Sequence, residues 1–139
     1  MLDCSVNFSI SPETQVIDFG KFNLLDIRRH TMSKTFSIKT TKSQNDQCTD
    51  GFKVSSSFYT EETLVEEDKA LLIGNGLKLR LLDENASPYT FNKYAEYADF
   101  TSDMLIYEKT YTAELSSIAG TPIEAGPFDT VVLFKINYN

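Results

Sequence analysis

The chain of 139 residues has no tryptophan, one histidine, four prolines, six glycines and two cysteines. The single histidine, His30, follows Arg28 and Arg29 in a mixed stretch. No nucleophile, base and orienting group can be assembled around it, so catalysis is not expected. Basic residues are also scarce. Thirteen Lys and Arg stand against twenty Asp and Glu, giving a formal net charge of -7. Such a surface repels phosphates, and no nucleic-acid partner is expected. No apolar run approaches the roughly 20 residues of a membrane helix, since Leu71-Leu72-Ile73 is broken by Gly74. Met1-Leu2-Asp3-Cys4 leads straight into a polar strand pattern and does not read as a signal peptide. Glu61, Glu62, Glu66, Glu67 and Asp68 are hard oxygen donors but lack the calcium-loop spacing with its central glycine. Gly74-Asn75-Gly76 has neither the lysine nor the strand-to-helix context of a phosphate loop. Neither a metal nor a cofactor is expected.

What the chain does have is alternation. Hydrophobic residues make up 41%, charged residues 24% and aromatics 12%, which rules out whole-chain disorder and fits one globular domain over residues 1–139. Cys4, Val6, Phe8 and Ile10 alternate with polar residues up to Ser11-Pro12, predicting a first strand with one buried face. Further strands are predicted over Thr35–Thr40, Phe52–Phe58, Leu71–Leu82 with a turn at Gly74-Asn75-Gly76, Tyr89–Phe91 and Leu105–Leu115. Lys21–Thr31 reads as loop with one helical turn, and Thr41–Gln47 and Glu61–Asp68 as polar loops. Seven or eight short strands with almost no helical period predict an all-β, immunoglobulin-like sandwich. Cys4 and Cys48 are an even pair in a small β-rich chain without metal-ligand spacing. They read as a disulfide in an oxidising compartment, the alternative being two buried thiols in a reducing one.

The last stretch organises the others. After Gly126-Pro127, the residues Phe128, Thr130, Val132, Phe134, Ile136 and Tyr138 fall on one face of an extended chain. Asp129, Val131, Leu133, Lys135 and Asn137 fall on the other. The sequence given ends with this face, so a neighbour for it is expected from elsewhere.

Cys4 in the first strand, Val16-Ile17-Asp18-Phe19-Gly20, Phe36-Ser37-Ile38 leading to Cys48, the Gly-x-x-Leu-x-Leu-Leu-Asp run ending at Asp83, and Ala125-Gly126-Pro127-Phe128 running into Phe134–Asn139 together resemble pilin subunits of bacterial chaperone-usher fimbriae. The resemblance spans nearly the whole chain and rests on the order of these features, on the cysteine separation and on the penultimate Tyr138. It implies an incomplete immunoglobulin-like sandwich, lacking its seventh strand, with an open groove filled by a donor strand. The segment Lys39–Gln47 is longer than the family's usual spacing. Only three residues precede Cys4, so the chain is expected to receive a strand without donating one. It would be either the pilin domain of a tip adhesin or a subunit without its N-terminal extension.

The resemblance further implies a periplasmic chaperone, an outer-membrane usher and neighbouring pilus subunits as partners, with a host receptor reached through another domain. It implies passage through the periplasm to the cell surface. The groove is expected between the first and last strands, with Val6, Phe8 and Ile10 on one wall and Val132, Phe134 and Ile136 on the other. The Asn139 carboxylate would be held by basic residues of the chaperone, with Tyr138 packed against the chaperone or the core. The rival expectation is a self-contained secreted β-sandwich that binds a ligand such as a carbohydrate.

Overall fold

Alternating sequence becomes alternating burial in the computed structural model, which describes residues 4–138. In chain order the elements are β1 (Val6–Ser11), α1 (Leu24–Arg29), β2 (Met32–Gln44), β3 (Phe52–Tyr59), β4 (Leu64–Val65), β5 (Ala70–Gly74), β6 (Leu77–Leu82), β7 (Ala95–Phe100), β8 (Ile106–Ser117) and β9 (Leu133–Tyr138). They form a six-stranded sheet in the order β1-β2-β8-β6-β5-β4 and a three-stranded sheet in the order β7-β3-β9. All neighbours run antiparallel. The expected all-β sandwich is observed.

The two sheets bury their facing side chains against each other. Val54 and Phe58 from β3, Tyr97 and Phe100 from β7, and Ile38, Leu79, Leu81 and Tyr111 from the larger sheet form the main core. Aromatic rings dominate its centre: Tyr111 stacks on Phe36 at 5.4 Å and meets Phe58 edge-on at 5.3 Å. Such pairs add about 0.5–1.5 kcal/mol each beyond the area they bury. A second, smaller cluster of Ile27, Leu77, Leu115 and Ile123 lies under α1. That helix is one expected turn made real. Its N-cap Asn23 accepts from the Asp26 backbone N–H at 2.9 Å, satisfying a donor that the first turn cannot.

The hairpin β5–β6 turns where the glycines predict it. Gly74, Asn75 and Gly76 all have positive φ, and a Cβ on Gly76 would come within 2.2 Å of the Pro122 carbonyl oxygen. Both the backbone and the space there require glycine.

Four expectations need correction. Thr41–Gln47 is not a polar loop throughout, because β2 continues to Gln44, held by β1 through the pairs Ser9↔Thr41 and Asn7↔Ser43. Tyr89–Phe91 is not a strand. An isolated bridge joins Leu82 to Pro88, and Phe91 is buried as coil, its N–H bonded to Asp68 O and the next N–H, that of Asn92, to Phe58 O. The strand at this edge is β7, which pairs with β3 and was not predicted. Glu61–Asp68 is not simply a solvated loop, since it contains β4 and its Glu66 pairs with Lys78 at 2.6 Å.

Candidate functional site: two unpaired strand edges

The predicted disulfide is present. Cys4 and Cys48 are bonded, with a Cα–Cα distance of 4.7 Å and a sequence separation of 44. The bond ties the chain just before β1 to the loop between β2 and β3, and so fixes the position of β1 at the margin of the larger sheet.

At that margin β1 pairs with β2 on one side, and among the described residues no strand pairs with its other side. The same holds for β9, which pairs with β3 alone. β4 and β7 are likewise paired on one side only, and β1 and β9 touch at one end. The Tyr138 ring lies 4.6 Å from the Phe8 ring, and the Tyr138 hydroxyl lies 3.5 Å from the Val6 carbonyl oxygen. No ladder joins the strands, so the sheets are left open between them.

Val6, Phe8 and Ile10 on β1 and Phe134 and Ile136 on β9 alternate with exposed residues as expected, yet they stop at half-burial. Val54 and Phe58 on β3 and Leu79 and Leu81 on β6 are buried, while Phe36 on β2, Phe52 on β3 and Tyr107 on β8 are half-buried like the β1 and β9 residues. Phe8, Ile10, Val132, Phe134 and Ile136 all pack against the main core, so the gap exposes the flank of that core.

Of the residues expected to line a groove, Val6, Phe8 and Ile10 lie on β1 and Phe134 and Ile136 on β9. Val132 is half-buried on the expected face but lies outside β9, because β3 turns away after Tyr59↔Leu133 and offers no ladder partner to residues 128–132. Tyr138 packs against Phe8 and Phe52 of this chain. Asn139 lies outside the described residues.

Three further residues build this region: Phe52, which lies in a predicted strand, and Phe100 and Lys42, which do not. Phe52 and Phe100 meet Phe8 at 6.1 and 5.3 Å and build the aromatic end of the gap. Lys42 points inward and is 2% exposed. Its Nζ donates to Thr101 O at 2.8 Å and to Ser102 O at 3.4 Å and lies 5.8 Å from the Phe52 ring. A buried ammonium requires such partners, and here they strap the β7–β8 loop to the larger sheet. Other buried polar groups include Thr40, Ser56, Ser57 and Thr60 and the hydroxyls of several tyrosines. Burial raises the Tyr111 hydroxyl, and it pushes Tyr89 up to about 12 with help from the nearby Asp83 carboxylate. Burial also raises Tyr97, while its hydrogen bond with Thr40, 2.8 Å long, opposes that shift. Among the described residues no group of His, Cys, Asp and Glu could hold a metal ion.

The chain has the fold of solved pilin structures. In solved structures the chain is similar to the P pilus rod subunit PapA, with a TM-score of 0.74 and 19% identity, covering 95% of this chain and 99% of that one. It is also similar to a chain in the structure of a chaperone-usher pilus, with a TM-score of 0.68 and 18% identity, covering 95% of this chain and 87% of that one. No protein-family model matches the sequence. At such identities the likeness is one of fold.

Proposed function

We propose that residues 1–139 form one pilin-like domain, a structural subunit of a chaperone-usher pilus, completed by a strand from outside that inserts between β1 and β9. The observation that carries this reading is that β1 and β9 are each paired on one side only and that their inward residues Phe8, Ile10, Phe134 and Ile136 pack against the main core yet stay half-buried. An inserted strand satisfies the backbone groups of both edges and covers the apolar flank. Covering apolar surface is worth about 2.5 kcal/mol for every 100 Å² removed from water. Folding and assembly are then one process.

In this reading a periplasmic chaperone fills the gap first, and a neighbouring subunit fills it in the fibre after delivery to the outer-membrane usher. The domain works at the cell surface, and its role is structural and adhesive rather than enzymatic. The same scheme serves a rod subunit and the pilin domain of a tip adhesin, since both take the strand from a partner. Val6, Phe8 and Ile10 form one wall of the groove and Val132, Phe134 and Ile136 the other. Tyr138 and Asn139 lie at the end where the chaperone anchors the chain.

Production in the periplasm with and without a chaperone of this class tests the proposal. The expected result is a soluble one-to-one complex with the chaperone and aggregation without it. Ile10→Asp and Ile136→Asp should each abolish the complex. A chain that is a stable monomer by itself and is ignored by the chaperone overturns the reading and favours the self-contained ligand-binding sandwich.

A further inference from the structure

The ladder of β9 begins at Leu133, but the alternation of burial begins five residues earlier. Phe128, Thr130 and Val132 are half-buried, while Asp129 and Val131 are exposed, Val131 to 74%. This stretch is extended in pattern, yet it belongs to no ladder and makes no other backbone–backbone hydrogen bond among the described residues. It is held from its ends and through its side chains. Asn75 Nδ2 donates to Gly126 O at 3.1 Å and to Pro127 O at 3.2 Å, and the Phe128 ring rests 6.1 Å from that of Phe22. Backbone donors and acceptors without partners in an extended stretch that prolongs an open edge are a ready template for pairing.

One side chain in the stretch breaks the apolar pattern. Thr130 is the single hydroxyl residue among the inward positions Phe128, Thr130, Val132, Phe134 and Ile136. Its Oγ1 is buried and has no hydrogen-bond partner. A lone polar group at an otherwise apolar contact favours whichever alignment provides it with a partner, as buried polar residues do in helical zippers.

We infer that the incoming strand pairs with residues 128–132 as well as with β9, and that Thr130 sets its register by selecting a hydrogen-bonding side chain at the facing position. This rests on the proposed strand insertion and goes beyond it in naming where the strand extends and which position along it is polar. The strand is therefore expected to be apolar at every inward position except one, where Ser, Thr or Asn stands.

A panel of synthetic peptides of about twelve residues tests this. Each alternates valine or isoleucine with hydrophilic residues, and in each a single threonine replaces a different apolar position. Binding to the oxidised chain is measured by titration, and amide hydrogen exchange is followed in the bound state. One member of the panel should bind wild type about five-fold tighter than the all-apolar peptide, as expected for one neutral hydrogen bond. That preference should vanish in Thr130→Val, a nearly isosteric change, while the all-apolar peptide binds the variant at least as well as wild type. Alternate amides of residues 128–132 should become protected in the complex, because a neighbouring strand engages every second N–H along an edge. Peptides that bind and protect β9 while residues 128–132 exchange as in the free chain overturn the inference and leave strand insertion standing. So does a panel without a preferred threonine position. Absence of binding by every peptide overturns both.

Discussion

Tyr138 and Phe8 come from the two strands that flank the gap, and their rings, 4.6 Å apart, bridge strands that share no ladder. Tyr138 also meets Phe52 at 6.1 Å. Removing the ring in Tyr138→Ala should lower the stability of the unfilled chain by about 1–2 kcal/mol, the worth of two aromatic contacts on a partly exposed side chain. Denaturant unfolding measures this. With a strand bound the loss should shrink, because the strand then supplies neighbours for Phe8.

The disulfide closes a loop with a sequence separation of 44. Chain-entropy reasoning gives such a crosslink about 4 kcal/mol. Replacing both cysteines by serine should therefore lower stability by about 2–5 kcal/mol. Because Cys4 lies next to β1, the loss should appear first as faster amide exchange at Val6–Ile10, ahead of the β6–β8 ladder.

Gly76 has φ of +75°, and an added Cβ would collide with the Pro122 carbonyl oxygen. Gly76→Ala should cost about 2 kcal/mol or more, combining left-handed strain with displacement of the backbone at Pro122. Gly120→Ala is the control. It shares a positive φ of +77° but has nothing within 4 Å of the added atom, and it should cost about half as much or less.

Tyr111, Tyr97 and Tyr89 have folded-state pKa values raised above the ordinary 10.0, Tyr89 to about 12. Above pH 10 the unfolded chain loses these protons while the folded chain retains them, so the unfolded state gains. Stability contributed by the neutral phenols is complete below pH 10 and falls as pH rises toward 12. Thermal melts between pH 8 and 12 should show a flat midpoint up to about 10 and a steep decline beyond. Tyr89→Phe should make the decline shallower.

Sequence shows this fold where one face of a strand is apolar and the other polar. Val6–Ile10, Leu77–Leu81 and Phe134–Ile136 alternate strictly and are strands with the predicted faces, and Phe52–Phe58 is a strand in which Ser56, Ser57 and Phe58 are buried in succession. The second half of β2 was hidden because its inward positions include Thr40 and Lys42, polar residues made acceptable by partners far along the chain, Tyr97 and Thr101. β7 was hidden because Ala95, Glu96, Ala98 and Asp99 dilute the two aromatics, Tyr97 and Phe100, that face the core. Phe91 suggested a strand because it is apolar, but its burial comes from coil folded against β3. The alternating apolar residues of β1 and β9 were legible as patterns. That they remain half-covered was not, because exposure of an edge depends on which strands fail to reach it.

Thermal unfolding of the oxidised chain, alone and with an alternating peptide of about twelve residues, tests most directly whether the gap between β1 and β9 accepts a strand. A peptide bound at 100 times its Kd should stabilise the fold by about 2.7 kcal/mol, seen as a melting temperature several degrees higher that keeps rising with peptide concentration. The same shift should be lost in Ile10→Asp. A high, cooperative melting temperature that no such peptide changes would contradict the account.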